Sequence, residues 1–192
     1  MNDFDLKLEK LEDSIGKKRF DHSIRVYKTA LKLNEKLNLN LSKEDIKLAG
    51  IFHDCAKYNE QMYFEKYKEK YNLDDNIIEN KAVSHSFLGA IVAKEEYNIS
   101  NRDVLDAIKY HTTGKEDMNN LTKLILISDS IEPNRNYDGV DKLRDIAKKD
   151  LNLAVIMQLD STIKFLIDKH SIIHLQTIKA RNYMVKGYKW KS

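Results

Sequence analysis

Interruptions and cross-links are scarce in this 192-residue chain, which has one proline, six glycines and one cysteine. A lone cysteine, Cys55, cannot form an internal disulfide, which fits a reducing compartment. Long apolar runs are also missing. The longest strongly apolar stretch, "LILI" at 124–127, falls far short of the roughly 20 residues a bilayer-spanning helix needs. The first ten residues, "MNDFDLKLEK", carry a charge every second or third position and so contain no secretory apolar core. A net charge of +3 is too small to argue for a nucleic-acid partner, and the basic end "VKGYKWKS" reads as solvated. These absences describe a cytoplasmic protein that binds neither membrane nor nucleic acid.

What is present is a globular composition, 42% apolar and 33% charged, over a length able to bury a real core. Helical spacing runs through most of it: Phe20, Ile24, Tyr27 and Leu31 recur at i, i+4, i+7 and i+11. "SKED" from Ser42 and "SNRD" from Ser100 have the form of capping boxes ahead of Ile46 and Val104. Gly114 stands where a helix ending near His111 would stop, and Pro133 follows the run "LTKLILISDSI". Helices are expected near 3–14, 17–38, 43–57, 60–71, 76–97, 101–111, 120–131, 139–148, 151–169 and 173–186. With no period-2 strand, no repeat and no linker rich in Pro, Gly or Ser, the expectation is one all-α helical bundle over residues 1–192.

Six ionisable groups fall on the apolar faces of these helices. His22 shares a face with Val26, and His85 with Ala82 and Leu88. His111 follows Ala107 and Ile108, and Asp129 follows Ile125 and Leu126. His53 and Asp54 sit side by side in "IFHDCAKY". Any one of them reads more simply as a hydrogen-bonded core residue. Together they would weaken a core severely unless a common partner compensates for lost hydration. A divalent metal is the economical partner. Six nitrogen and carboxylate donors without thiolate suit iron, manganese, cobalt or zinc, and the number favours two ions. Two ions about 4 Å apart can activate a water and steady both ends of an in-line displacement at phosphorus. Cys55 is turned away by about 100° if the helix continues, and is not expected to be a ligand.

The order His22, His53–Asp54, His85, His111 and Asp129 resembles that of the HD-domain metal-dependent phosphohydrolases, over about residues 18–135. "HDCAK" at 53–57, "HTTG" at 111–114, "SDSIEPNR" at 128–135 and a tail containing "KARNY" are similar to the YqeK-like branch. Two departures are local: Ser128 stands where alanine is more usual, and Cys55 where a tyrosine or similar residue follows "HD". The resemblance implies an HD-type helical domain, with a core of about 18–135 and the helices of 139–186 packed on it. It also implies symmetrical hydrolysis of diadenosine tetraphosphate to two ADP at a di-iron centre. By position, His22, His53, Asp54 and Asp129 would hold one ion. Asp54 would bridge to a second, held by His85 and His111.

Phosphate needs cations aimed at it. Lys57, a helical turn beyond His53, and Arg135, just past Pro133, are expected to act on the substrate beside Asp54. Arg25 and Arg19, near His22, are weaker candidates: Arg25 at i+3 shares roughly its helix side, whereas solvation is an equally simple reading of Arg19. Thr112, Thr113 and Gly114 are expected to form an exposed loop whose hydroxyls and N–H groups bind phosphate or ribose. Tyr58 could stack on a base, though packing explains most rings of helix 60–71. His170 and His174 lack the glutamate of a zinc-protease motif and read as surface or packing residues. The substrate class is a small dinucleoside polyphosphate, and a homodimer is compatible with the sequence. The rival readings are another HD-type nucleotidase or phosphodiesterase, or a regulator that binds nucleotide without turnover. The GYP-type extension of cyclic-di-GMP phosphodiesterases is absent.

Overall fold

Short polar side chains start many of the helices in the computed structural model, which describes residues 2–190. Asn2 opens α1 (Asp3–Ile15) by accepting from the N–H of Asp5, whose carboxylate returns the bond. Ser42 opens α3 (Lys43–Phe52), Asn119 opens α8 (Asn120–Ile131) and Asp150 opens α10 (Leu151–Asp168), each accepting from the N–H three residues on. The cap of α7 (Arg102–Tyr110) is Asn101, one residue later than expected, because its amide oxygen and not the Ser100 hydroxyl meets the N–H of Asp103. The remaining elements are α2 (Lys17–Lys36), α4 (Glu60–Tyr71), α5 (Asn76–Glu79), α6 (Lys81–Tyr97), α9 (Val140–Ala147) and α11 (Leu175–Gly187). No strand occurs among the described residues, and the fold is all-α. The last two residues of the basic end, Lys191 and Ser192, lie outside the described residues.

Two expected helices are shorter than their apolar spacing suggests. The one over 43–57 ends at Phe52, and residues 53–58 follow as successive tight turns: Cys55 N–H bonds to Phe52, Lys57 to Asp54 and Asn59 to Ala56. The one over 76–97 divides at Asn80, whose backbone (φ −93°, ψ 79°) leaves the helical region. Apolar spacing continues through both breaks because the residues on each side still face the core. Periodicity therefore could not reveal the turns.

The long apolar helix α8 forms the centre, buried from Leu121 through Ser128 apart from Lys123, and touches α2, α3, α7, α9 and α10. Leu11, Phe52, Tyr97 and Ile108 are fully buried in the same core. Gly50 lets α3 lie directly on α2: a Cβ there would stand 2.8 Å from Tyr27 Cα, a backbone atom that cannot swing aside. The C-terminal helices join the same assembly through contacts of α10 with α8 and of α11 with α10. Among the described residues no helix is long and apolar enough to cross a membrane.

Candidate metal centre

Five places in the chain deliver side chains to one buried point. α2 supplies His22, the turn after α3 supplies His53 and Asp54, α6 supplies His85, the C-terminus of α7 supplies His111, and α8 supplies Asp129. His53 and His111 occupy equivalent positions, each the residue directly after a helix end. Their Nδ1 atoms point back at the carbonyls of Gly50 (2.9 Å) and Ile108 (2.7 Å), three residues earlier. An N–H engaged this way leaves Nε2 with its lone pair facing inward. His22 reaches the same state through a carboxylate, with Nδ1 3.2 Å from Glu132 Oε1. His85 differs, having the Lys57 ammonium 3.0 Å from its Nδ1.

Asp54 divides the group in two. Its Oδ2 lies 3.3 Å from His53 Nε2 and 3.9 Å from His22 Nε2, and Asp129 Oδ1 completes that side at 3.0 Å from His22 Nε2. Its Oδ1 lies 3.3 Å from His85 Nε2 and 3.7 Å from His111 Nε2. The Nε2 atoms of His22 and His53 are fully buried and make no hydrogen bond of adequate geometry. Two orphaned imidazole nitrogens beside buried carboxylates are a costly arrangement in an apolar interior. A divalent cation satisfies it: His22, His53 and Asp129 close into one three-donor group, and His53, Asp54 and His111 into another. The donor set therefore fits a metal.

Electrostatics prepare the same donors. Burial opposes the charge on Asp54, but His53 and then His111 and His85 outweigh it and hold the carboxyl well below its usual range. Burial likewise opposes ionisation of Asp129, which contact with His22 and the charges of His53 and Arg135 overcome. Burial, followed by its neighbour His111, pushes His85 down to about 2. Burial and His53 push His111 down to about 4. Both rings are thus neutral at pH 7, each with one unprotonated nitrogen. Cys55 turns away, its thiol donating to the Gly89 carbonyl at 3.3 Å, and burial pushes its pKa up.

The cations around the cluster do not all stand where the sequence suggests. Lys57 reaches it through the tight turns and not along a helix. Arg135 bonds Asp129 twice, from Nε to its carbonyl (2.8 Å) and from Nη2 to its carboxylate. Arg25 is engaged through Nε with Glu132 Oε2 at 2.7 Å. Arg19, the weaker of the two candidates near His22, is not simply solvated: it donates from Nη1 to Asp54 Oδ2 at 2.9 Å. It sits one turn before His22, and the turn after α3 is folded back against it. Thr112 Oγ1 stands 3.5 Å from His85 Nε2. Thr113 and Gly114 are not the exposed loop expected of them. Both are buried, Thr113 bonding the Gly114 carbonyl and Gly114 lying against Ala180, because α11 covers this segment. His174 caps α11 by accepting from the N–H of Gln176, and His170 is exposed.

Glu132 is the participant that sequence reasoning missed. It is 2% exposed and ties His22, Arg25 and the N–H of Asn134 together. Its position three residues after Asp129, on the same helix face and just before Pro133, was an available signal. Arg144, far off in α9, then braces this segment by bonding the carbonyls of Ile131, Glu132 and Arg135.

Comparison with known proteins agrees with this geometry. The model of the HD domain matches residues 19–161. A symmetrical bis(5'-nucleosyl)-tetraphosphatase of Halalkalibacterium halodurans is 36% identical over 179 residues, covering 93% of this chain and 95% of that protein. One of the same name from Bacillus subtilis is 33% identical over 178 residues, covering 92% and 95%. A crystal structure from Clostridium acetobutylicum, described as a predicted HD superfamily hydrolase involved in NAD metabolism, superposes with a TM-score of 0.89 at 41% identity. It covers 97% of this chain and 98% of that one. An HD domain implies binding of divalent metal, which the buried histidines and aspartates accommodate. Matched over most of its length and built around one histidine–aspartate cluster, the chain belongs to the HD-domain family.

Proposed function

We propose that this protein is a divalent-metal-dependent hydrolase that cleaves diadenosine tetraphosphate symmetrically to two ADP in the cytoplasm. The observation that carries this reading is the near end-to-end similarity to relatives named for that activity. The cluster agrees with the chemistry required. His22, His53, Asp129 and Oδ2 of Asp54 would hold one ion, and His85, His111 and Oδ1 of Asp54 a second, with iron the proposed metal in both places. Bound there, the metal supplies a water of lowered pKa and charge stabilisation at phosphoryl oxygens.

The chain's own residues do the rest. Gly50, Ile108 and Glu132 fix three of the four imidazoles by their Nδ1 atoms, so the donors are oriented before substrate arrives. Arg135, Arg19 and Lys57 bring three cations to the rim of a site whose floor is buried. A polyphosphate loses hydration there, and charge–charge interactions gain strength. Arg135 presents a planar fork suited to phosphate, and Thr112 offers a hydroxyl beside His85. Water adds at one phosphorus of the central linkage, and the bond from that phosphorus to the bridging oxygen breaks. ADP is a stable leaving group, so the step makes no demand for a strong protein acid. The whole chain is proposed to act as one HD-type unit, which the packing of α10 against α8 supports.

The test is product analysis on metal-loaded protein. ADP as the sole nucleotide released from diadenosine tetraphosphate is the expected result. ATP with AMP, or preference for a nucleoside monophosphate or cyclic dinucleotide, overturns the assignment. Binding without turnover would make the protein a regulator.

A further inference from the structure

Two cavities of unlike character meet at Arg135, one on each side of the cluster. The first is a slot of about 200 Å³ between α8 and α10, with His111 and Asp129 at its inner end. Leu126 and Leu159 lie in its wall beside the hydroxyls of Thr112, Ser130 and Thr162. Gln158 stands in the slot, its carboxamide held by the Tyr137 hydroxyl at 3.3 Å and by Thr162 Oγ1 at 3.1 Å. A small pocket with leucines in its wall and one oriented amide is the chemistry of a nucleobase seat. The ring buries its faces, and the amide's paired donor and acceptor meet the edge. Adenine offers the matching pair, an amino donor beside a ring-nitrogen acceptor.

The second cavity is an open groove of about 810 Å³ lined by Lys17, Lys18, Arg19, Arg25 and Arg135, with Asp21 and Glu132 opposed to them. Its one carboxamide, on Asn134, is exposed, where water competes for it. Tyr58 stands at the groove, 65% exposed and with φ of +71°, a backbone state that bulky side chains rarely hold. The ring gains no burial from this strained backbone. Arg19 lies over it, Cζ 5.9 Å from the ring centroid and Nη2 donating to the hydroxyl at 3.5 Å. An outward aromatic beside a cationic track is a stacking platform that accepts any base by its face.

We propose that the two nucleosides of the substrate take unequal seats, an adenine in the slot read by Gln158 and the second base stacked on Tyr58 without being read. The inference rests on the dinucleotide reading above. One adenine then suffices: a mixed adenosine–guanosine tetraphosphate binds with its adenine in the slot, whereas the diguanosine compound has none to offer.

The deciding experiment compares the diadenosine, mixed and diguanosine tetraphosphates on metal-loaded wild type and on Gln158→Ala, Tyr58→Ala and Tyr58→Phe. Wild type should cleave the first two within about threefold of each other and the third about tenfold less well. Gln158→Ala should bring all three to the diguanosine level. Tyr58→Ala should raise KM about tenfold for every substrate with their ratios intact, and Tyr58→Phe should restore it. A mixed compound falling midway, or base ratios unmoved by Gln158→Ala, overturns the proposal. Calorimetric titration with ADP reads the seats without turnover. Two ADP per chain with unequal affinities, only the tighter one weakened by Gln158→Ala, is the expected outcome. One ADP, or two equivalent ones, overturns it. Should ADP fill two unequal seats while no dinucleotide is cleaved, the hydrolase reading fails and the seats stand.

Discussion

Glu132 Oε1 lies 3.2 Å from Nδ1 of His22, and both side chains are almost wholly buried. Burial disfavours the carboxylate, yet the hydrogen bonds from Arg25, the Asn134 N–H and His22 hold its pKa below the usual value. Glu132 thereby fixes which way the imidazole faces. Glu132→Gln keeps the volume and removes the charge. Metal affinity, measured by competition with a chelator, should fall about 10- to 100-fold with circular dichroism unchanged. Unaltered affinity would make the contact merely structural.

Asp54 addresses both halves of the cluster, with one carboxylate oxygen on each side. Asp54→Ala should lose bound metal by elemental analysis and turnover by at least about 10³-fold, a loss that added metal does not repair. Chelation of the wild type should abolish activity reversibly. Full activity with retained metal in the variant would refute the bridging role.

Arg135 bonds Asp129 through its carbonyl and carboxylate while facing both cavities. Arg135→Ala should retain metal and lose about 2–4 kcal/mol of transition-state stabilisation, read as a fall in kcat/KM. Arg135→Lys should recover only part of it, because an ammonium cannot reproduce the planar fork.

Glu96, remote from the site, gathers Lys10 of α1 at 2.8 Å with Lys66 and Tyr67 of α4. The hydrogen bonds from Lys10, Lys66 and Tyr67 lower its pKa from 4.5 to about 2. A depressed carboxylate pKa contributes stability that is fully present above about pH 4.5 and is lost as pH falls toward 2. Both lysines are half exposed, which limits the contribution to about 1 kcal/mol. Glu96→Gln should lower Tm by about 2–4 °C at pH 7 and by progressively less between pH 4.5 and 2. Melting curves in excess chelator separate this from acid loss of metal. A Tm gap that persists unchanged to pH 2 would rule the mechanism out.

Much of this could be read from residues alone, and the two misplaced residues share a cause. Ser42 announces α3, and His22 and His85, flanked by apolar neighbours in sequence, are buried. Arg19 and Gly114 go the other way. Periodicity describes which side of its own helix a residue occupies, but not what another segment lays over it. The turn after α3 folds back on Arg19, and α11 covers Gly114, from 35 and 66 residues away in sequence.

An all-α chain, and six polar groups on the apolar faces of its helices, follow from residues alone, since helix spacing and the cost of burying charge are local properties of residue and position. Which oxygen of Asp54 meets which histidine, that Glu132 holds His22, and that a small slot and a larger basic groove flank the centre come only from the folded arrangement. Those relations depend on how α2, α6, α7 and α8 cross one another, and crossing geometry is set by the packing of whole helix faces.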